Sequence, residues 1–193
     1  MKQNFLLSLY RSSQTVFTLA ELTLLFPELS FMGIKNRVHH AVRVGKLKLL
    51  RRGIYAKDCY DPYEVANKLY SPSYISLETV LQKEGIIFQV YDTIFVIGSL
   101  SRKVSTDGHT FYYRKVAPHI LADTRGVIQH AYYAIASKER AFLDAVYLYK
   151  DYHFDHVDPL NWDLVNEIKA VYKSKALEKR VEQYYLNDKH TYV

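Results

Sequence analysis

The stretch VFTLAELTLLFPELSFMGIKNRVHHAVRVG, residues 16–45, restricts the fold more than any other, because two helix starts flank one proline. Thr18 with Glu21 three residues later has the spacing of a capping box, in which the hydroxyl accepts from the Glu21 N–H while the carboxylate reaches back to the Thr18 N–H. Phe17 and Leu22 have the spacing of a hydrophobic staple across the same start. A helix is therefore expected from Leu19 to near Phe26, since Pro27 has no N–H and disfavours helical backbone in the residue before it. Ser30 suits the cap of a second helix, with Phe31, Ile34, Val38, Ala41 and Val42 recurring on its apolar side.

Elements on either side complete a pattern. FLLSLY, residues 5–10, reads as a first short helix, and Gly45 sits at the C-cap of the third. LKLL and IYAK then flank Arg51, Arg52 and Gly53 as two short strands around a tight turn. Helix, helix, turn, helix, hairpin is the order of a winged helix-turn-helix, which we assign to residues 1–58.

Charge singles out the same segment. Residues 1–60 carry ten Lys and Arg against three acids, a balance of +7, whereas residues 61–193 carry sixteen against seventeen, a balance of −1. From Leu29 to Lys57 there is no Asp or Glu at all. On a helical wheel the side of the third helix opposite its apolar stripe holds Asn36, His40 and Arg43, flanked by Met32, Lys35, Arg37 and His39. A helix fits the B-DNA major groove, where Asn pairs with adenine and Arg with guanine, while other cations hold phosphates. Lys35, Asn36, Arg37, His39, His40, Arg43, Lys48, Arg51 and Arg52 are the expected DNA contacts, and the partner is double-stranded DNA. Plain solvation of a basic helix is the competing account.

Residues 59–193 read as an α+β domain with a small antiparallel sheet and C-terminal helices. Asp61, Pro62 and Glu64 supply cap, first-position proline and third-position acid for a helix, and Ser71-Pro72 marks the next helix start. ISLETVLQKEG is a helix closed by Gly85, TIFVIGS a buried strand, and KVST with TFYYRKV a hairpin around Asp107-Gly108. Helices resume at SKERAFLDAVYLY, WDLVNEIKAVY and ALEKRVEQYYL. Arg102, Lys103, Arg114 and Lys115 gather near the hairpin, where they are expected to form the solvated side of the sheet, a surface that binds RNA or a protein partner being the alternative.

Chemistry is sparse. His153, Asp155, His156 and Asp158 have metal-ligating side chains, but their spacing matches no specific site and they read as a polar loop. Ser73, Ser76 and Glu78 lack a nearby histidine and a glycine elbow, so capping is the simpler account. No phosphate-binding glycine loop occurs. We expect no enzyme, no cofactor and no metal. The single cysteine, Cys59, agrees with a reducing compartment, and nowhere do eighteen apolar residues run together, so a soluble cytoplasmic chain without membrane contact is expected.

VFTLAELTLLFPE, NRVHHAVRVGKLKLLRRGIYA, DPYEVANKLYSPSYISLETVLQKEGII, TFYYRKV and SKERAFLDAVYLY, in that order over roughly residues 15–150, resemble the AbiEi antitoxins of bacterial type IV toxin-antitoxin (abortive infection, phage defence) systems. The resemblance implies an N-terminal winged helix that represses its own operon at inverted repeats, with a homodimer on the operator as a compatible arrangement. It further implies a C-terminal antitoxin domain that counters a nucleotidyltransferase toxin without requiring a stable complex. Family DNA contacts carry over to the helix from Phe31 to Val44 and to Lys48, Arg51 and Arg52. Where relatives have Thr-Pro-Glu before the late helix, this chain has Ser137-Lys138-Glu139, and after Asp151 no family motif is visible. The alternative is a ligand-sensing winged-helix regulator with no toxin partner.

Overall fold

The computed structural model describes residues 5–190, with side chains as far as Leu186. Its first third runs α1 (Phe5–Arg11), β1 (Val16–Thr18), α2 (Leu19–Leu25), α3 (Phe31–Arg43), β2 (Lys48–Arg51) and β3 (Ile54–Ala56). Both expected caps form. Thr18 Oγ1 accepts from the Glu21 N–H at 3.1 Å while Glu21 accepts from the Thr18 N–H at 2.7 Å, and Ser30 Oγ accepts from the Gly33 N–H at 3.1 Å. Gly45, at φ +68°, turns the chain out of α3 so that the Lys46 N–H reaches the Ala41 carbonyl at 2.8 Å, as in a Schellman ending.

Two features of this first third depart from the sequence expectation. Residues 16–18, expected only to staple a helix start, also form β1, which pairs antiparallel with β3 from Val16↔Ala56 to Thr18↔Ile54. Phe31, expected on the apolar side of α3, is 55% exposed, because the core contacts of that helix are made by Ile34, Val38 and Ala41 further along.

The resulting sheet has the order β1-β3-β2, and strand alternation gives it two buried faces. Phe17 and Tyr55 point into a core with Phe5, Leu9, Leu22, Ile34 and Val38. Val16, Leu50, Ile54 and Ala56 point the other way, into the core of the second part.

That second part continues α4 (Pro62–Leu69), β4 (Ser73–Ile75), α5 (Glu78–Lys83), β5 (Thr93–Gly98), β6 (Arg102–Thr106), β7 (His109–Lys115), α6 (Pro118–Ala122), β8 (Val127–Gln129), β9 (Ala134–Ala136), α7 (Lys138–Leu148), α8 (Trp162–Ile168) and α9 (Lys175–His190), with a 3₁₀ turn at Lys169–Tyr172. The class is α+β. Instead of a small antiparallel sheet, however, β6-β7-β5-β4-β9-β8 make a six-stranded mixed sheet, with β5–β7 and β4–β9 parallel. Strands of three residues, as β4, β8 and β9 are, show too little alternation to be recognised. Likewise Ser71-Pro72 leads into β4 rather than a helix, and α5 starts only at Glu78, after Leu77 at φ +54°. Gly85 at φ +70° follows that helix, and the Asp107-Gly108 turn takes positive φ at both residues, as a two-residue hairpin requires.

The two parts are tied by hydrogen bonds as well as by packing. Glu64, buried in α4 rather than acting as a first-turn acid alone, accepts from the backbone N–H groups of Thr15 at 2.9 Å and Val16 at 2.8 Å. Lys68 of α4 pairs with Glu21, joining the α2 capping box to the second part. Burial raises the Glu21 carboxyl pKa, but the Lys68 and Thr18 contacts outweigh it and the net shift is downward.

Candidate nucleic-acid interface

Helix α3 buries Ile34, Val38 and Ala41, so the opposite side must face outward. Asn36, Arg37, His39, His40 and Arg43 are all exposed there, and Lys35 is half-buried at the edge. His40 Nδ1 lies 3.0 Å from Arg43 Nη2, one turn apart, which orients the guanidinium along the helix. Met32, exposed at 58%, lies one turn before Asn36 on the same side. Among the described residues, Lys35, Arg37, Arg43, Lys46 and Arg52 form no ion pair with a carboxylate.

The β2–β3 turn carries Arg52 and Gly53, with Arg51 closing β2 and Gly53 at φ +85°. This hairpin does not stand free. Its Leu50 carbonyl accepts from Thr106 Oγ1 at 2.6 Å, so the β6–β7 turn braces it from the second part. Lys48 at its foot meets Asp107 at 3.1 Å and Asp58 at 3.5 Å, and Tyr60 donates to the same Asp107 oxygen at 2.9 Å. The Tyr60 hydroxyl and then the Lys48 ammonium hold the Asp107 carboxyl below the usual aspartate range, and Asp107 in turn raises the Lys48 ammonium. Of the nine expected contacts, Lys48 is thus the one committed to carboxylates among the described residues.

Arg51 is turned toward the second part in a different way. Its guanidinium lies 5.0 Å from the ring centre of Tyr70, at the end of α4, and Arg102 of β6 approaches the same ring at 6.0 Å. Arg102 Nη1 donates to the Tyr70 hydroxyl at 3.1 Å, and this contact leads the downward shift of the phenol pKa. Tyr70 was not singled out from the sequence. Its position just beyond a helix that follows the basic stretch carries no chemical signature.

No protein-family model and no curated protein matches the chain. The site therefore rests on its own geometry.

Other candidate groups do not converge. His153 lies 3.7 Å from Asp155 and His156 lies 3.4 Å from Asp158, as two separate pairs, and no metal-holding set of three or more ligands gathers among the described residues. Ser76 is not a cap: its hydroxyl donates to Asp144 at 2.7 Å inside the core, while Leu77 occupies the N-cap position of α5. Glu78 is buried, which raises its carboxyl pKa, and the Ser73 hydroxyl has no partner among the described residues. No helix among the described residues is long and apolar enough to cross a membrane.

Proposed function

We propose that this chain binds double-stranded DNA through a winged helix-turn-helix, α3 lying in the major groove and the β2–β3 turn following the backbone. The observation that carries this reading is the outward face of α3, where Asn36, His40 and Arg43 stand exposed amid cations with no carboxylate partner among the described residues. An uncompensated cationic surface releases counterions when it meets phosphates, whereas a structural one is neutralised within the fold. The order helix, strand, helix, helix, two strands, with β1 completing the sheet beside β3, supports the same reading. The resemblance to AbiEi antitoxins extends it: the chain represses its own operon and counters a nucleotidyltransferase toxin, the second part carrying the antitoxic role.

Fluorescence anisotropy with the duplex upstream of the coding region, repeated over a salt series, tests the DNA half. Contact with roughly six phosphates gives a slope of about −5 in log affinity against log salt per protomer. A slope near zero overturns the reading. Co-expression with the neighbouring gene tests the antitoxin half: rescue from a toxic nucleotidyltransferase is expected, and undiminished toxicity removes it.

One observation favours a second reading, a ligand-responsive regulator. A cleft of about 450 Å³ is lined by Thr18 and Glu21 at the start of α2, Asn67 and Lys68 of α4, and Tyr132 and Tyr133 before β9. Asn67 Nδ2 is buried there without a partner among the described residues. Under this reading a small polar molecule changes DNA affinity and no toxin gene lies adjacent.

A further inference from the structure

The four cations near the Asp107-Gly108 turn do not share one surface. Arg102 and Lys103 are consecutive on an edge strand and so point to opposite faces, Arg102 paired in register with Tyr113 and Lys103 with Tyr112. Arg114 is held by Tyr149, whose hydroxyl accepts from it at 2.8 Å. Arg102 alone of these cations reaches Tyr70. That ring packs edge-on against buried Tyr113, with centroids 4.9 Å apart and planes at 80°, and Tyr113 is pinned by donating to the Ala66 carbonyl at 2.5 Å. Tyr70 is therefore a fixed platform.

Two guanidiniums from two different sheets converge on this platform, Arg51 at 5.0 Å and Arg102 at 6.0 Å from the ring centre. Both are exposed, and neither forms an ion pair among the described residues. An exposed cation-π contact stabilises each guanidinium only weakly, and neither charge is answered by a carboxylate among the described residues. A guanidinium has five N–H groups, so after the single bond from Arg102 to Tyr70 most of its donors have no partner among the described residues. Paired forks beside a phenol are the chemistry that recognises a phosphate group.

We propose that Arg51, Tyr70 and Arg102 form a clamp for one backbone phosphate of a duplex seated on α3 and the β2–β3 turn. The six-stranded sheet thereby supplies a DNA contact from outside the basic first third of the chain. The clamp rests on the DNA-binding reading above and adds register without base information, since phosphate contacts position rather than specify.

Full-length protein and a labelled duplex of random sequence suffice, because phosphate contacts do not depend on sequence. Arg102→Gln weakens binding about tenfold at low salt and makes the log-log salt slope shallower by about 0.9. Lys103→Ala removes the same charge from the opposite face and leaves that slope unchanged. Tyr70→Phe keeps the ring, loses the hydroxyl that orients Arg102, and weakens binding by less than Arg102→Gln while retaining the slope. An Arg102→Gln protein that binds more weakly with an unaltered slope would make Arg102 a mere tether for the turn and overturn the clamp, as would equal slope changes in Arg102→Gln and Lys103→Ala. A greater loss on duplex RNA than on duplex DNA also overturns it. If the parent protein itself shows no salt slope and Arg43→Ala changes nothing, the DNA-binding reading fails first, which a retained parent slope distinguishes.

Discussion

The outward face of α3 and the interior of α7 place arginine in opposite conditions. Arg140 of α7 is fully buried, and every side of it is answered: it donates to the Tyr74 hydroxyl at 3.0 Å and 3.2 Å, to the Ile120 carbonyl at 2.7 Å and to the Arg125 carbonyl at 2.9 Å. Asp144, one turn on and equally buried, accepts from Tyr74, Ser76 and Tyr172 and lies 3.7 Å from Arg140. Among the described residues, Arg43 on α3 has one histidine nitrogen for company. Charge that serves the fold has its partners inside the molecule, because a buried ion left alone costs several kcal/mol. Arg43 is exposed and has no carboxylate partner among the described residues, the condition on which the proposed DNA contact rests.

This contrast makes predictions that run from large to small. Asp144→Ala should break the interior network, leaving three hydroxyls without their acceptor and Arg140 without its counter-charge, and cost about 3–5 kcal/mol in urea unfolding. A loss within about 0.5 kcal/mol, the size of an ordinary surface change, would erase the distinction between the two regions. Arg43→Ala and Arg52→Ala should behave conversely: thermal unfolding nearly unchanged, duplex affinity down about tenfold in each. Unchanged affinity in both would show that the exposed face is only solvated.

Glu21→Ala sharpens the comparison at an intermediate site, where one carboxylate serves a cap and the Lys68 pair together; about 1 kcal/mol of stability should be lost. The smallest effect belongs to Asp107. Its carboxyl is held below the usual range, so its tie to Lys48 and Tyr60 is fully present above the ordinary aspartate pKa of about 4 and is lost as pH falls through the lower folded value. Carboxyl chemical shifts across an acid titration would follow this, and a midpoint at or above the ordinary value would contradict it. Asp107→Asn should leave Lys48 with Asp58 alone at 3.5 Å and, on the DNA-binding proposal, raise duplex affinity slightly, by no more than about twofold.

How much of this was legible in the sequence depends on how local each cause is. The caps at Thr18 and Ser30, the stop at Pro27 and the Asp107-Gly108 turn act within four residues, and each forms as expected. The front of α3 follows from helical periodicity. Strands β1, β4, β8 and β9 are too short for a pattern of their own and exist because neighbours distant in the chain complete them, as Ile135 completes Ile75. The Arg51, Tyr70 and Arg102 group has the same cause: three side chains from distant segments meet only after both sheets are stacked. Ser76 shows the limit most plainly, since nothing in SPSYISLE reveals that its hydroxyl answers Asp144, 68 residues later.

The small sheet touches a core on each side, Phe17 and Tyr55 toward one and Val16, Ile54 and Ala56 toward the other. A fragment ending near residue 58 would bare the second set to solvent, so the basic helix and its turn are no detachable cassette. Grafting them onto a foreign protein requires bringing α4 along as a lining, because Glu64 of α4 holds the backbone of Thr15 and Val16 in the strand beside β3.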